Sequence, residues 1–542
     1  MADPVKSLSD AVMAAAESLG GPLAKAPTLE RPPNAELGDY STNAAMMLSG
    51  VMRQPPREVA QQLGEALAER LGEAVERIEV AGPGFLNLHM TDEWCRAAAA
   101  AALEAGDDYG RTRPETLERV NVEFVSANPT GPITVAAGRH AAYGDSLCRV
   151  LELAGSEVDR EYYVNDYGGQ VQRFAASIRA RALEEEPPED GYQGEYVKEV
   201  AQRIGGAAEL DDDELAKQGV AIMLEAVQST LKRFRVAMDR FSSERALQEG
   251  GAVETAIERL REHGHVYESE GATWLRTTAL GDDKDRVLRR SNGEKTYFAA
   301  DIAYHEDKRE RGYDHAIGVL GADHHGYTAR VKAAWRALGG DPARLELVIM
   351  QLVNLLEDGQ RAQMSKRGGQ FVTLDALIDD IGVDATRWFL VQRSPDTTLD
   401  LDLGLARKHS QDNPVYYAQY AHARIASILR KAGGEGRLEV ALAADLAASP
   451  EQLHPSACDL VKKLLELPEE VRITADRRAP HRIAVYVTEV AQSFSAFYRD
   501  CKVVGAAEEG GDEDLRLALC ELTRRVIARS LDLLGVEAPA EM

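Results

Sequence analysis

Cysteine is scarce in this chain. Cys95, Cys148, Cys458, Cys501 and Cys520 are scattered over 542 residues, odd in number and never in CxxC spacing. That excludes a disulfide framework and a structural zinc site and points to a reducing cytoplasm. Long apolar runs are missing as well. Nothing approaches the ~18 uncharged residues of a membrane span, so no membrane association is expected. Met1 to Asp10 lacks a basic stretch followed by an apolar block, so no secretory signal is expected. Positive charge is in deficit, with 63 Lys and Arg against 89 Asp and Glu and a net charge of −26. On average such a chain repels nucleic acid, but local basic faces decide binding. Internal repeats and low-complexity tracts are absent. What is present is an ordinary globular composition, 44% hydrophobic and 28% charged, at a length that suggests several domains.

The patterning divides the chain into three regions with one insertion. Residues 1–110 open with an apolar-periodic helix (Leu8, Val12, Ala16, Leu19) and continue through helices at Asn43 to Val51 and Pro56 to Leu71. A hairpin-like pair of strands follows around Gly82-Pro83-Gly84, then an alanine-rich helix at Glu93 to Ala105. Residues 111–402 begin with the β-rich run Val120 to Val125, a Gly/Pro turn, a helix from Val135 to Ala154 and a strand at Tyr162 to Val164. That is the pattern of a βαβ unit and a parallel, Rossmann-like sheet. Later strands are expected at Tyr297-Phe298, His315 to Leu320 and Leu345 to Met350. The acidic, helical stretch at about 170–270 reads as an insertion. Residues 403–542 are helical almost throughout, with apolar periodicity at Val415 to Leu429, Ser456 to Leu467, Arg482 to Tyr498 and Asp514 to Leu534. Asp514 is the expected N-cap of the last helix and Gly535 its stop. The fold class is therefore α/β, with an N-terminal α+β region and a C-terminal all-α bundle.

Four segments carry candidate chemistry. Glu123 to Pro132 leaves a parallel strand for a helix, where free backbone N–H groups favour phosphate; a plain strand-to-helix turn is the bland alternative. Tyr297 and Asp301 share one helix face, so an aromatic plane and a carboxylate together can hold a guanidinium or ammonium group. An ordinary helix start explains them equally. Gly318 to Gly326 runs from a strand into Asp323, His324 and His325, which reads as a substrate pocket or a capped helix start. Gln363 to Gly369 places Lys366 and Arg367 among glycines, either a phosphate-closing loop or a solvated one.

Taken in order, these segments resemble class I aminoacyl-tRNA synthetases, and among them the arginyl-tRNA synthetase family. Asn128-Pro129-Thr130-Gly131-Pro132 resembles the segment before that family's His-x-Gly-His signature. Gln363-Met364-Ser365-Lys366-Arg367 resembles its Lys-Met-Ser-Lys-Ser loop. Asn413 to Ile425 resembles the start of its anticodon-binding helical domain. Gly38 to Asn43, Ala81 to Phe85 and the ending Gly535 to Met542 are similar as well. The resemblance implies ATP-dependent attachment of L-arginine to tRNA(Arg) through an arginyl-adenylate, with Mg²⁺ helping to hold pyrophosphate, no zinc, and arginine activation that waits for tRNA. It implies that Glu123, Asn128, Tyr297, Asp301, Asp323 and His325 surround arginine. Ser126, Pro129, Thr130, Gly131, Gly138, Met364 and Ser365 would border ATP, with Thr134, His140, Lys366 and Arg367 acting on the phosphates. Tyr416, Tyr420, Arg424, Tyr498 and Lys502 would meet tRNA, at least one ring of the stripe Tyr416, Tyr417 and Tyr420 stacking on an anticodon base where such a stripe is otherwise core, with residues 1–110 as a second tRNA-contacting region. A monomer is expected.

Two departures stand out. Thr134-Val135-Ala136-Ala137 occupies the signature position, so both histidines are absent, and Gln363 replaces the first lysine of the loop. Loss of one such phosphate donor typically costs about 100- to 1,000-fold in rate. His140, one helical turn beyond Ala137, is the candidate replacement. Two other readings stay open: a catalytically inactive paralogue that binds tRNA, and a ligase that activates an amino acid without tRNA.

Overall fold

The computed structural model describes residues 3–32, 34–112, 114, 116–357, 359–361 and 372–542. Its centre is a sheet of five parallel strands. In space they run Leu345–Met350, His315–Gly321, Arg119–Glu123, Glu157–Val164, Arg240–Ser243. The first strand in sequence is thus central. The chain winds outward to one edge, crosses back, and completes the other. The order reverses between Arg119–Glu123 and His315–Gly321, and a crevice for ligand opens there at the carboxyl ends. Val120, Asn121 and Val122 are all buried, as a strand covered on both faces must be. Asn121 is tolerated because its side-chain amide donates to Glu161 at 2.6 Å.

The helix Val135–Leu153 lies against this strand. Phe124 is fully buried beneath it, and a Cβ on Gly144 would come within 2.2 Å of that ring. Glycine is what lets the helix approach.

Before the sheet, helices Pro4–Gly20, Ala44–Met52 and Pro56–Leu71 cover a four-stranded antiparallel sheet with a hairpin of Val75–Ala81 and Phe85–Met90. After it come the helices Pro414–Lys431, Gly434–Ala443, Pro455–Leu464, Leu467–Arg477, His481–Asp500 and Glu513–Leu533. The first and last regions touch: Arg31 pairs with Glu466 at 2.9 Å, and the Tyr109 hydroxyl donates to the Leu464 carbonyl at 2.9 Å.

Three local expectations are corrected. Tyr297-Phe298 is not a strand. Thr296 caps a helix there by accepting from the Ala299 N–H at 3.3 Å, and Tyr297–Glu310 is helical despite its β-favouring start. The stretch at 170–270 is not helical throughout, because Arg240–Ser243 pairs with Glu157–Val164 as the edge of the main sheet. The cap of the last helix is Asp512, which accepts from the Leu515 N–H at 3.0 Å; Asp514 lies within the first turn.

Candidate active site

The chain leaves the central strand through a strained turn. Val125 has φ 70° and Ser126 φ 39°, and the Ser126 N–H donates back to the Phe124 carbonyl at 3.0 Å. This is a γ-turn centred on a β-branched residue, an arrangement worth about 1–3 kcal/mol of strain. It throws Asn128 out to solvent at the crevice. The Ser126 hydroxyl holds the turn, donating to Glu123 at 3.0 Å and accepting from the Tyr163 N–H at 3.1 Å. Pro129 and Thr130 are buried, and the Thr130 carbonyl accepts from the Tyr196 hydroxyl at 2.8 Å, over Gly131.

Two helix starts then meet. Residues 133–135 pair antiparallel with 372–374, the Val135 N–H donating to Val372 at 3.0 Å and the Leu374 N–H to Ile133 at 2.8 Å. Thr134 caps Val135–Leu153, and Thr373 caps Leu374–Val391. Gly138 faces the second helix: a Cβ there would sit 2.7 Å from Leu374. Arg139 is fully buried and donates to the carbonyls of Gln351 and Ser394 at 2.7 and 2.9 Å. Burial pulls its pKa down to about 10. It is a structural cation. His140 and Asp323 both border Gly321, on the neighbouring strand. The side chain of His325, and all of Met364, Ser365, Lys366 and Arg367, lie outside the described residues.

Across the crevice the structure gathers acidic groups that the sequence keeps far apart. Asp301 sits one turn inside its helix and accepts from the Tyr327 hydroxyl. Burial pushes its pKa up to about 6; the Tyr327 bond opposes this, the Glu123 charge adds to it, and Arg330 opposes it. Glu244 begins the helix that follows the edge strand and is only 3% exposed. Burial, then the charges of Asp301 and Asp166, raise it to about 7, against a hydrogen bond to Gln248. Asp166 follows the strand Glu157–Val164 and accepts from the Ser243 hydroxyl at 2.6 Å and the Arg245 N–H at 2.8 Å. Among the described residues no Lys or Arg forms an ion pair with Asp301, Glu244 or Asp166. Tyr297 stands at the rim, 63% exposed. Its hydroxyl lies over Gly168, whose φ of 87° suits glycine and whose missing side chain leaves room for the ring.

The floor of this cup is rigid. Glu123 accepts from the buried Lys308 ammonium at 2.6 Å, and Glu161 accepts from Arg311 at 2.8 and 3.0 Å. Glu123 is thus already matched with a cation, while Asp301 and Glu244 are not. Sequence reasoning found Glu123, Tyr297 and Asp301. It missed Glu244, Asp166, Tyr327 and Lys308. The strand-end rule could have found Asp166, two residues past Val164. Glu244 was hidden because its short strand sits inside a helix-rich stretch.

In the last region Tyr416, Tyr420 and Arg424 recur every four residues on one helix, hence on one face. Tyr416 and Tyr420 stack at 6.0 Å, and the Arg424 guanidinium lies 4.4 Å from the centre of the Tyr498 ring. Tyr417 packs against the core instead. Lys502 is tied to Glu509 at 2.8 Å. Among the described residues no cluster of three or more His, Cys, Asp or Glu is placed to hold a metal ion, and no helix is long and apolar enough to cross a membrane.

Comparison with known proteins agrees with this geometry. Residues 6–90 match the arginyl tRNA synthetase N terminal domain, 194–402 the catalytic domain of class I (R) tRNA synthetases, and 418–542 the DALR anticodon binding domain. An arginine--tRNA ligase of Frankia alni is 47% identical over 526 residues, covering 95% of this chain and 94% of the relative. The Thermus thermophilus arginyl-tRNA synthetase superposes with a TM-score of 0.78 at 26% identity, covering 99% of this chain and 100% of that one. The Plasmodium falciparum enzyme shares the fold at 16% identity, with a TM-score of 0.77 and 99% coverage of each chain. With an open acidic cup at the switch point, an α+β region before the parallel sheet and a helical one after it, and a close relative spanning nearly its full length, this chain belongs to the arginyl-tRNA synthetase family.

Proposed function

We propose that this chain attaches L-arginine to tRNA(Arg) at the expense of ATP. The observation that carries the reading is the cup: the buried Glu244 and the half-buried Asp301 and Asp166, none ion-paired with a Lys or Arg among the described residues, beside a phosphate-favouring helix start. The arginine carboxylate attacks the α-phosphate, giving arginyl-adenylate and pyrophosphate. The terminal ribose hydroxyl of tRNA then attacks the arginyl carbonyl and releases AMP. Asp301 and Glu244 take the guanidinium, Tyr297 covers its flat face, and Asn128 meets the α-amino end. Glu123, held by Lys308 and Ser126, supplies charge and shape. Asp323 and His325 complete the arginine side. A site that pairs a planar fork in this way rejects analogues lacking it by roughly 10⁴-fold.

ATP lies along Ser126, Pro129, Thr130, Gly131 and the helix start at Thr134, with Met364 to Arg367 closing over it from the segment that leads into Val372. The described residues offer no cage for Mg²⁺, so the ion would arrive on the triphosphate, where it neutralises phosphate charge. In place of the missing histidines stand the positive end of Val135–Leu153, the Thr134 hydroxyl and His140. Residues 1–110 and 403–542 flank the catalytic 111–402 and bind tRNA, the latter through Tyr416, Tyr420, Arg424, Tyr498 and Lys502. We assign the enzyme to the cytoplasm, as a monomer.

Pyrophosphate exchange with arginine, ATP and tRNA(Arg) tests this reading, and arginine-dependent exchange is expected. Tight tRNA binding without exchange would instead support the tRNA-binding paralogue, which the loss of both signature histidines favours. Exchange indifferent to tRNA would support the tRNA-independent ligase.

A further inference from the structure

The strand Glu157–Val164 sends alternate side chains to opposite faces. Tyr162 goes to the core face, where its ring meets Phe241 at 5.3 Å and its hydroxyl donates to the Ala127 carbonyl at 2.7 Å. Glu161 and Tyr163 go to the other face. Glu161 pairs there with Arg311, and Tyr163 packs on Tyr304 of the cup helix with ring centres 4.4 Å apart. Asp301 lies three residues before Tyr304, on the same side of that helix. The Tyr163 backbone is itself fixed to the strained turn, since its N–H donates to the Ser126 hydroxyl.

Tyr163 is 6% exposed, and among the described residues its hydroxyl has no hydrogen-bond partner. A buried hydroxyl left alone is costly, so folded proteins keep few of them. The buried phenols of Tyr109, Tyr143 and Tyr162 follow that rule, donating to the carbonyls of Leu464, Arg478 and Ala127. Two more buried phenols stand alone among the described residues, Tyr40 in the first region and Tyr304. Tyr304 faces Glu123 and Glu161, which Lys308 and Arg311 already match. Tyr163 is set in the cup. Burial, then the charges of Glu244, Asp301, Glu123 and Asp166 in that order, push its pKa up.

Carboxylates only accept hydrogen bonds and a guanidinium only donates them, whereas a phenol does both. Paired bonds to two carboxylates leave one of a guanidinium's five donors over. A phenol oxygen among those carboxylates supplies the missing acceptor, and its own proton has acceptors on every side. We propose that the Tyr163 hydroxyl is a further binding contact for the arginine side chain, accepting a hydrogen bond from the guanidinium while donating its own to a cup carboxylate. The inference rests on the reading that arginine occupies the cup and adds a residue to it.

The test is Tyr163→Phe in the full-length protein, which removes the hydroxyl and keeps the ring on Tyr304. In tRNA-dependent pyrophosphate exchange its KM for arginine is expected to rise about tenfold or more, as loss of a hydrogen bond to a charged group gives. The guanidinium is remote from the reacting carboxylate, so the bond is equally strong in ground and transition states and kcat should stay within about twofold. KM for ATP should not move. Without ligand, the unfolding midpoint should equal the wild-type value or exceed it, because an unpartnered buried hydroxyl has been removed. A wild-type KM for arginine in this variant overturns the proposal. So does a fall in kcat with KM unmoved. So does a ligand-free variant that unfolds earlier than wild type, since the hydroxyl would then serve the fold, as one holding a trapped water does. Failure of the proposed function looks different: wild type itself then shows no arginine-dependent exchange, and the contact falls with it.

Discussion

Two sites in this molecule handle charge in opposite ways. In the first, Arg387 is fully buried and paired with the equally buried Asp145 at 2.6 Å, while its other nitrogens donate to the carbonyls of Leu534 and Phe234 at 2.8 Å. Burial lowers the Arg387 pKa, but the Asp145 charge opposes that. In the second, the buried Glu244 and the half-buried Asp301 form no ion pair with a Lys or Arg among the described residues; burial first, then the charges of Asp301 and Asp166 on Glu244 and of Glu123 on Asp301, partly offset at Asp301 by Tyr327 and Arg330, lift their pKa values to about 7 and about 6. A closed site spends its electrostatics on holding the fold. An open one keeps a largely unmet demand for a cation, which under the proposed function the arginine side chain satisfies.

The comparison can be attacked from the open side first. Asp301→Ala is expected to lower kcat/KM for arginine by about 10³-fold or more in tRNA-dependent pyrophosphate exchange, with the unfolding profile intact. A normal KM for arginine would refute the assigned guanidinium site. Lys366→Ala should come next, cutting turnover about 100-fold or more with little change in tRNA affinity. A wild-type adenylation rate would make that loop structural.

On the closed side, Arg387→Met removes the buried partner of Asp145, which keeps only Arg149 at 2.8 Å and Arg160 at 3.8 Å, and strands the Leu534 and Phe234 carbonyls; it should lower stability by about 2–4 kcal/mol, read from denaturant unfolding. If the loss is under ~1 kcal/mol, the pair is not the keystone described.

A subtler contrast lies in pH. Both cup carboxyls have folded pKa values above their unfolded ones, so the folded state keeps protons that the unfolded chain has lost. The ligand-free protein should therefore lose stability as pH climbs from ~4 to ~7, and arginine should bind tighter over the same rise, releasing protons. Glu244→Gln should flatten the upper part of that rise by a few fold in Kd, measured calorimetrically in buffers of different ionisation heat. An unchanged proton release would remove Glu244 from the cup. The smallest effect belongs to Thr373→Ala, which removes the cap of Leu374–Val391 and should cost about 1 kcal/mol of stability in denaturant unfolding.

Much of this was legible from residues alone. The helix Pro56–Leu71 and the Gly82-to-Gly84 hairpin follow from proline and glycine placement, and the central strand from its valines. The Tyr297 and Asp301 spacing was readable because helical geometry is local. What stayed hidden was non-local or short. Arg240–Ser243 is a four-residue edge strand whose pairing partner lies some eighty residues earlier, and its own sequence has no alternation to report it. Glu244 therefore had no visible address. Lys308 matches Glu123 across 185 residues, a contact no pattern in the chain announces. At Tyr297 a single threonine cap outweighed two β-favouring aromatics.

The Arg387 junction has a consequence for how the protein is made. The carbonyls of Leu534 and Gly535 serve Arg387 and Arg235, and the Glu537 carbonyl serves Gln419. A ribosome delivers these acceptors hundreds of residues after Asp145. Until translation passes them, Arg387 and Arg235 lack carbonyl acceptors that the finished fold supplies. The catalytic half therefore cannot reach its final packing while the polypeptide is still being extended, and chaperones have a long window in which to meet it.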